Sequence, residues 1–508
     1  MGTPPKRVEA DRVPLRIVVT GASGFIGRHL VEALAGEARI FALARGSPGS
    51  RGLSLPAGVR WLTADVTSRE DLDRATGMVR EAGGAEILVH LAGHYDFTGE
   101  RHPEYERTNV QGTRNALEAA RALGVRDFVF ASSVAACGFP RPGHALTEQS
   151  PPDGDTPYAE SKRAGEGMLE QYRGVFRPWI VRFAALFSDW CEYEPLFRFM
   201  ESWLSRLPRG RVLAGHGLSA VPYMHVRDAV AFVRALVERR DRIDPGEVLL
   251  ASTDGATTHR EIFEAATVAH FGAHVRPVLV PRPLCRAGLW ALDAVGRGLG
   301  ATSFERPWMG RFIDLSLTVD GRLTRERLGW SPRARLGLVR RMPFLVQNRK
   351  SLGVEWQRRN HAALRVARGH DNLRVYPLLE RRAPEIAAAL ADYLLDPDRG
   401  TRFPGLRALE RDRQVATNAL VMDALVDAVH SGEKGLFLST CREVAERRRA
   451  EGIPLEELTA LLDVLNDLCV LSLAGHDASP SWALALYDHV TMTVQLGVDA
   501  LLDMADEG

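Results

Sequence analysis

Tyr158 and Lys162 stand four positions apart in Tyr158-Ala159-Glu160-Ser161-Lys162, and on a helix that spacing puts both side chains on one face. A tyrosine at its reference pKa of about 10 is a poor proton shuttle at neutral pH. A neighbouring ammonium stabilises the phenolate and brings that pKa toward the working range. Ser133, which ends an apolar run, supplies a hydroxyl to hold a substrate oxygen against the tyrosine. Together these groups would move a proton to or from an oxygen atom. A Tyr–Lys pair at this spacing is more often a surface pair than a site, so its meaning depends on what precedes it.

What precedes it is Thr20-Gly21-Ala22-Ser23-Gly24-Phe25-Ile26-Gly27, directly after an apolar run and before an amphipathic one. Glycines let a backbone turn tightly and approach a pyrophosphate, whose charge is met by the N–H groups of a helix N-terminus. The spacing is GxxGxxG rather than GxGxxG, so the strand–turn–helix setting carries the argument. At the end of the next apolar run, in Ala44-Arg45-Gly46-Ser47, an arginine stands where an NAD site usually places an acid for the ribose hydroxyl. Arg45 suits a 2′-phosphate, with Ser47 as a second donor, so NADP(H) is favoured over NAD(H). Asp65 and Val66 follow a third run and are placed to meet an adenine. Leu91-Ala92-Gly93 follows a fourth and would let backbone approach the cofactor.

The elements that must position these residues alternate from about Val13 to Ala251. Short β-branched runs at Arg16–Val19, Ile40–Leu43, Trp61–Thr63, Ile87–Leu91, Phe128–Ala131, Ile180–Val181 and Val248–Leu250 are separated by longer helical stretches. The latter include Arg28–Leu34, closed by Gly36, and Glu104–Leu123, closed by Gly124. The pattern predicts a doubly wound parallel sheet of Rossmann type with crossover helices, its strands apolar because both faces are covered. After Ala251 the alternation weakens into a small mixed region with a helix over Leu289–Val295, ending near Leu328-Gly329-Trp330. The basic stretch from Arg333 to Lys350 reads as a linker or a solvated face. From about Ser351 helical periodicity dominates, as in Leu455, Leu458, Leu461, Leu462, Leu465 and Leu468. Gly452 fits the position after one helix and Pro454 the first turn of the next. The expected organisation is an α/β domain over residues 1–350 and an all-α bundle of about five or six helices over 351–508.

Bulk composition bounds the partners. Hydrophobic residues make up 45% and charged residues 25% of 508, as in a globular protein, and the formal charge of +1 offers nothing for nucleic acid or an anionic membrane. The five cysteines are scattered with no CxxC pair, which predicts neither a disulfide framework nor a metal site. His361, His370, His430, His476 and His489 show no metal-ligand spacing. Met1 to Arg16 contain no apolar run of signal-peptide length and no later segment is long enough to span a bilayer. A cytoplasmic protein acting on a small molecule is the expectation.

Taken in order, these motifs resemble the extended short-chain dehydrogenases, also called the NAD-dependent epimerase/dehydratase family. The resemblance runs from about Leu15 to Pro332. It rests on Gly21 to Gly27, His90-Leu91-Ala92-Gly93, Asn109-Val110-Gln111-Gly112-Thr113, Ala131-Ser132-Ser133, Tyr158 with Lys162, Val181-Arg182-Phe183, His225-Val226-Arg227-Asp228 and Leu328-Gly329-Trp330. It implies that Tyr158 is the acid/base and that Lys162 both tunes it and binds the nicotinamide ribose. It further implies that Ser133 is the catalytic serine and that Asn109 supports the hydrogen-bond network of the site. There are departures. Nucleotide-sugar members carry an arginine where this chain has Val221, and an asparagine expected in many of them is missing from Arg182-Phe183-Ala184-Ala185-Leu186-Phe187. A less charged substrate, such as an aldehyde, ketone or steroid-like alcohol, is the expectation. Trp179, Phe187, Trp190, Tyr193, Phe197 and Trp203 are candidates to wall an apolar pocket. A nucleotide-sugar epimerase or dehydratase is the runner-up, and a cofactor-sensing regulator that signals through its helical part is the alternative outside enzymes. The stretch Ala445 to Leu458 resembles part of the helical sensor domains of bacterial stress-signalling co-antagonist proteins. That implies an interaction or homodimerisation module beyond residue 351.

Overall fold

The computed structural model describes residues 14–46, 55–205, 208–298, 304–364, 372–431, 434–475 and 480–506. The chain divides into two compact units, Met1–Leu352 and Gly353–Gly508.

The first unit is built on strands β1 (Leu15–Thr20), β2 (Ala38–Ala44), β3 (Val59–Thr63), β4 (Ile87–His90), β5 (Asp127–Ser133) and β6 (Arg177–Phe183). Short strands β7 (Ala185–Phe187), β8 (Val212–Ala214), β9 (Ala220–Val221) and β10 (Tyr223–His225) follow, then β11 (Val248–Ala251), β12 (Thr257–Thr258) and β13 (Val278–Val280). The main sheet has seven strands in the order β11-β6-β5-β4-β1-β2-β3, and every neighbouring pair in it is parallel. The sequence predicts each of these strands, with ends that differ by a few residues.

The reason for the sheet is visible in its side chains. Successive residues of a strand point to opposite faces. Ile17 and Val19, Ile40 and Ala42, and Val129 and Ala131 therefore enter one apolar layer, while Val18, Phe41, Leu43, Phe128 and Phe130 enter the other. Helices α1 (Phe25–Leu34), α2 (Arg69–Glu81), α3 (Gly112–Leu123), α4 (Pro157–Leu169), α5 (Glu194–Trp203) and α6 (Val226–Arg239) come from the crossovers. Leu30 of α1 and Phe232 of α6 cover the first layer, and Leu72 of α2 and Leu117 of α3 cover the second. Gly124 closes α3 at φ 66°, a left-handed turn that costs glycine little. The predicted helix over Glu104–Leu123 is divided: a wider turn over Tyr105–Gln111 precedes α3.

Beyond the sheet lie α7 (His259–Phe271), α8 (Arg282–Gly298), α9 (Arg322–Leu328) and α10 (Leu338–Ser351). The last corrects an expectation. The basic stretch is no linker, because α10 buries Leu338, Met342, Leu345 and Val346. Three of its cations are also engaged: Arg333 pairs with Asp228, Arg341 with Asp189 and Arg349 with Glu201.

The second unit is helical throughout its described residues: α11 (Gly353–Leu364), α12 (Asn372–Leu395), α13 (Pro404–Arg407), α14 (Arg411–Ser431), α15 (Gly435–Ala450), α16 (Leu455–Ala474), α17 (Pro480–Leu486) and α18 (Met492–Asp506). One apolar core joins α12 to α18, with Leu390, Leu425, Phe437, Leu462 and Val494 among its members. Gly452 takes φ 85° just after α15. Pro454 is extended at the N-cap of α16, one step before the first turn where its sequence context places it.

Candidate active site

In an open parallel sheet the loops after neighbouring strands part where the strand order reverses, and ligands bind in that crevice at the carboxyl ends. Here the reversal falls between β1 and β4. Thr20 lies beside His90, and His90 beside Phe130, so β1 and β4 end level and β5 runs three residues further, to Ser133. The Gly21–Gly27 turn follows β1, Leu91-Ala92-Gly93 follows β4, and Ser133 ends β5. Arg45 is exposed just past β2, and Asp65 and Val66 follow β3. Ser47 lies outside the described residues.

The glycine turn is shaped by close approach. Gly21 takes φ 68°, and a Cβ on it would lie 2.6 Å from the backbone nitrogen of Ala92. A Cβ on Gly27 would run into the backbone of Gly21 and Ala22. Gly24 caps α1 with no side-chain hydrogen bond, so the first N–H groups of α1 keep their donor capacity. Ser23, Phe25 and Ile26 complete the turn, with the ring of Phe25 edge-on to His29 at 5.5 Å.

A buried histidine ties the two turns together. His90 Nδ1 lies 2.7 Å from Thr20 Oγ1, and Nε2 lies 3.2 Å from Thr113 Oγ1. Thr113 donates to the Asn109 carbonyl at 2.6 Å, so it accepts from His90, and Thr20 donates to the other ring nitrogen. Burial, with the Lys162 charge adding to it, pulls the imidazole down to about 3, which keeps it neutral in this role. Asn109 itself accepts from His94 N at 2.6 Å and donates to the His94 carbonyl and to Ser161 Oγ, each at 2.9 Å. It bridges the β4 loop to α4. Asp65 accepts from Thr67 N at 2.9 Å, and Asn115 donates to the Val66 carbonyl at 2.9 Å, which fixes the turn after β3.

Helix α4 starts at Pro157 behind Thr156, whose hydroxyl accepts from Ala159 N. That cap places Tyr158 in the first turn and Lys162 one turn on. The Ser133 hydroxyl lies near enough to the Tyr158 phenol to draw its pKa down. Lys162 is buried; its Nζ donates to the Ala131 carbonyl at 2.8 Å and lies 5.8 Å from the centre of the Tyr158 ring. The structure brings the serine, tyrosine and lysine side chains together at the end of β5 and the start of α4.

The electrostatics differ from the expectation. Burial pushes the Tyr158 phenol up to about 12, against the nearby Ser133 hydroxyl, which lowers it. Burial lowers Lys162 to about 8, opposed by the charge of Glu166. The spacing predicts a tyrosine tuned down by its lysine; instead desolvation outweighs every favourable contact.

Two features of the site escape the sequence reading. One is Glu166, a further turn along α4. It accepts from Ser132 Oγ at 2.5 Å and pairs with buried Arg182, whose Nε and Nη2 lie 3.0 and 2.8 Å from its carboxylate oxygens. The other is a group of aromatic rings around Tyr158. Tyr95 lies 4.2 Å from it centroid to centroid and Tyr105 6.4 Å. Phe97 joins Tyr95 to Tyr193 and Phe304, and Tyr193 meets Tyr223. Alternating Tyr95 and Phe97 directly after Gly93 is the signal that points to them. Of the aromatics expected to wall a pocket, Tyr193 belongs to this group. Trp179 is fully buried under the sheet, Phe187 packs on His225, and Trp203 packs on Phe199 and Phe263. They serve the core, as do Phe197 and its neighbours on the buried face of α5.

Comparison with known proteins follows the same lines. Residues 17–251 match the description "NAD dependent epimerase/dehydratase family". Human 3 beta-hydroxysteroid dehydrogenase type 7 is 33% identical over 156 residues, which is 29% of this chain and 40% of that protein. Ceramide reductase of Caulobacter vibrioides is 34% identical over 271 residues, 53% of this chain and 74% of that protein. A solved UDP-glucose 4-epimerase from Thermotoga maritima superposes with a TM-score of 0.51 at 22% identity, over 66% of this chain and all of the other, a likeness of fold.

Proposed function

The chain belongs to the NAD dependent epimerase/dehydratase family, and from that premise we propose that it is an NADP(H)-dependent oxidoreductase interconverting a carbonyl and an alcohol on a small apolar substrate. Tyr158 and Lys162 one turn apart on α4, with the Lys162 Nζ 5.8 Å from the Tyr158 ring centre and the Ser133 hydroxyl beside the phenol, carry this reading. The glycine turn suits a dinucleotide, since added side chains at Gly21 and Gly27 would meet backbone and the α1 N-terminus has no side-chain cap. Gly21, Ser23, Gly24, Phe25, Ile26 and Gly27 would hold the pyrophosphate, Arg45 the 2′-phosphate, Asp65 and Val66 the adenine, and Leu91, Ala92 and Gly93 the nicotinamide side through backbone. Lys162 would hold the ribose.

The nicotinamide ring, when bound, supplies or accepts the hydride. The residues of the chain handle the proton. With its phenol near 12, Tyr158 is protonated at neutral pH and donates to the carbonyl oxygen in the direction of reduction. Ser133 hydrogen-bonds the same oxygen, and the Lys162 ammonium offsets the charge left on the phenolate. Tyr95, Phe97, Tyr193 and Tyr223 offer ring faces rather than cations, which supports an apolar substrate over a nucleotide sugar, as does Val221 in β9.

The test is NADPH oxidation against a panel of aldehydes, ketones and steroid-like ketones, with chromatographic product analysis for UDP-sugars, whose epimerisation leaves no net change in the cofactor. Turnover of an apolar carbonyl is expected, falling roughly 10²- to 10⁴-fold in Tyr158→Phe with NADPH binding retained. Turnover of a UDP-sugar alone, or full activity in Tyr158→Phe, would overturn the proposal.

A further inference from the structure

Helix α8 exposes the face that a helix at a protein surface normally buries. At about 3.6 residues per turn, one arc of α8 runs from Trp290 through Ala294, Ala287, Ala291 and Leu284 to Leu292 and carries only apolar residues. All six are exposed, with Leu284 64%, Trp290 62% and Leu292 57% open to solvent. The opposite arc, turned to the protein, holds Asp293, which is buried and pairs with Arg306 at 3.1 Å. Val278, in the strand that leads into α8, lies beside Val212 of β8, and both are exposed. Single exposed apolar side chains are ordinary, but an unbroken arc over about three helical turns calls for a covering surface.

The charge beside the arc is of one sign. From Ala265 to Leu292 the chain has Arg276, Arg282 and Arg286 and no aspartate or glutamate, and the three arginines are exposed. Arg286 stands one turn before Trp290, at the edge of the arc. The whole-chain charge of +1 hides this local excess. A second copy packed on the same face about a two-fold axis would bring arginine to arginine, with no exposed acid in this stretch to meet them. The arc is also convex and takes up about half of the helix circumference, which fluid acyl chains can wrap more readily than a rigid groove. Leucine, an edge tryptophan and flanking arginines are the chemistry of a helix lying in a lipid interface.

We propose that α8 docks the protein on an anionic lipid surface. The helix lies in the plane of the interface, with Leu284 among the acyl chains, Trp290 and Leu292 at the two edges of the buried arc, and Arg282 and Arg286 at lipid phosphates. Asp293 stays on the protein side, so the helix rests on the bilayer and does not cross it.

The test floats the full chain with vesicles of phosphatidylcholine alone and of phosphatidylcholine mixed equally with phosphatidylglycerol. Binding to the mixed vesicles is expected, about tenfold or more tighter than to phosphatidylcholine, and weaker as salt is raised. Leu284→Ser and Trp290→Ser should each weaken it about tenfold, and Arg282→Gln with Arg286→Gln should remove the preference for anionic vesicles. Leu471→Ser, at an exposed apolar residue of α16, should change nothing. Brominated acyl chains should quench tryptophan fluorescence more in the wild type than in Trp290→Phe. Circular dichroism melts verify that each variant folds. Absence of binding to the mixed vesicles, equal binding to both lipids, or binding unchanged in both Leu284→Ser and Trp290→Ser would each overturn the proposal. So would a wild-type dimer in sedimentation that Trp290→Ser dissociates, since the arc would then be covered by a second copy.

Discussion

At the scale of single residues, Tyr158 and Lys162 pull apart in pKa, one pushed to about 12 and the other lowered to about 8 by burial. The tyrosine stays protonated through the neutral range, while the lysine loses its charge as pH rises past about 8. For carbonyl reduction, kcat/KM is therefore expected to hold steady below that pH and fall above it, as the phenolate left after proton transfer loses its ammonium. Lys162→Arg keeps the charge and should move the fall to higher pH. A profile that stays level to pH 10 would separate Lys162 from the proton transfer. Arg45 has a different task, at the exposed end of β2. Losing a charge-assisted contact worth about 1.5–3 kcal/mol should weaken NADPH roughly 10- to 150-fold in Arg45→Ala and leave NADH nearly unchanged. Titration of both nucleotides against both proteins reads this directly, and equal affinities in the wild type would remove the argument for NADP(H).

At the scale of elements, α4 carries Tyr158, Lys162 and Glu166 on one face at successive turns. The third anchors the other two to the sheet through Ser132 on β5 and Arg182 on β6. Removing one partner of a buried ion pair strands the other, at a cost of about 3–5 kcal/mol. Glu166→Gln should lower the melting transition of the first unit accordingly. It should also shift the alkaline fall in activity below that of the wild type, because Glu166 is the charge that holds Lys162 up. A variant with an unchanged melt and profile would show that the pair does not anchor α4. The Tyr–Lys spacing alone announces the first two residues. Glu166 has no legible partner in the sequence, since Arg182 lies 16 residues on in β6 and meets it only when α4 packs back onto the sheet.

At the scale of the whole molecule, each unit has its own apolar core: the two layers about the sheet, and the cluster shared by the helices. A unit with its own core can fold alone. A fragment of residues 1–352 is expected to bind NADPH, since each proposed contact lies at or before Lys162. Residues 353–508 should give a helical circular dichroism spectrum with a cooperative melt, and self-association of this fragment in sedimentation would assign it an assembly role. Cutting at 350 instead would remove the last residue of α10 and split the turn after it. Among the described residues no helix is long and apolar enough to cross a membrane. The parallel sheet, the glycine turn, the placing of Tyr158 and Lys162 on one helical face and the change to an all-helical pattern were legible because each is local: apolar period, turn chemistry and a four-residue step need only neighbours in the chain. The docking of α10, the aromatic group about Tyr158 and the Glu166–Arg182 pair were decided by tertiary structure. Burial, and with it the direction of every pKa shift here, depends on what packs from distant parts of the chain, and a basic stretch looks the same on paper whether its apolar face meets water or a protein core.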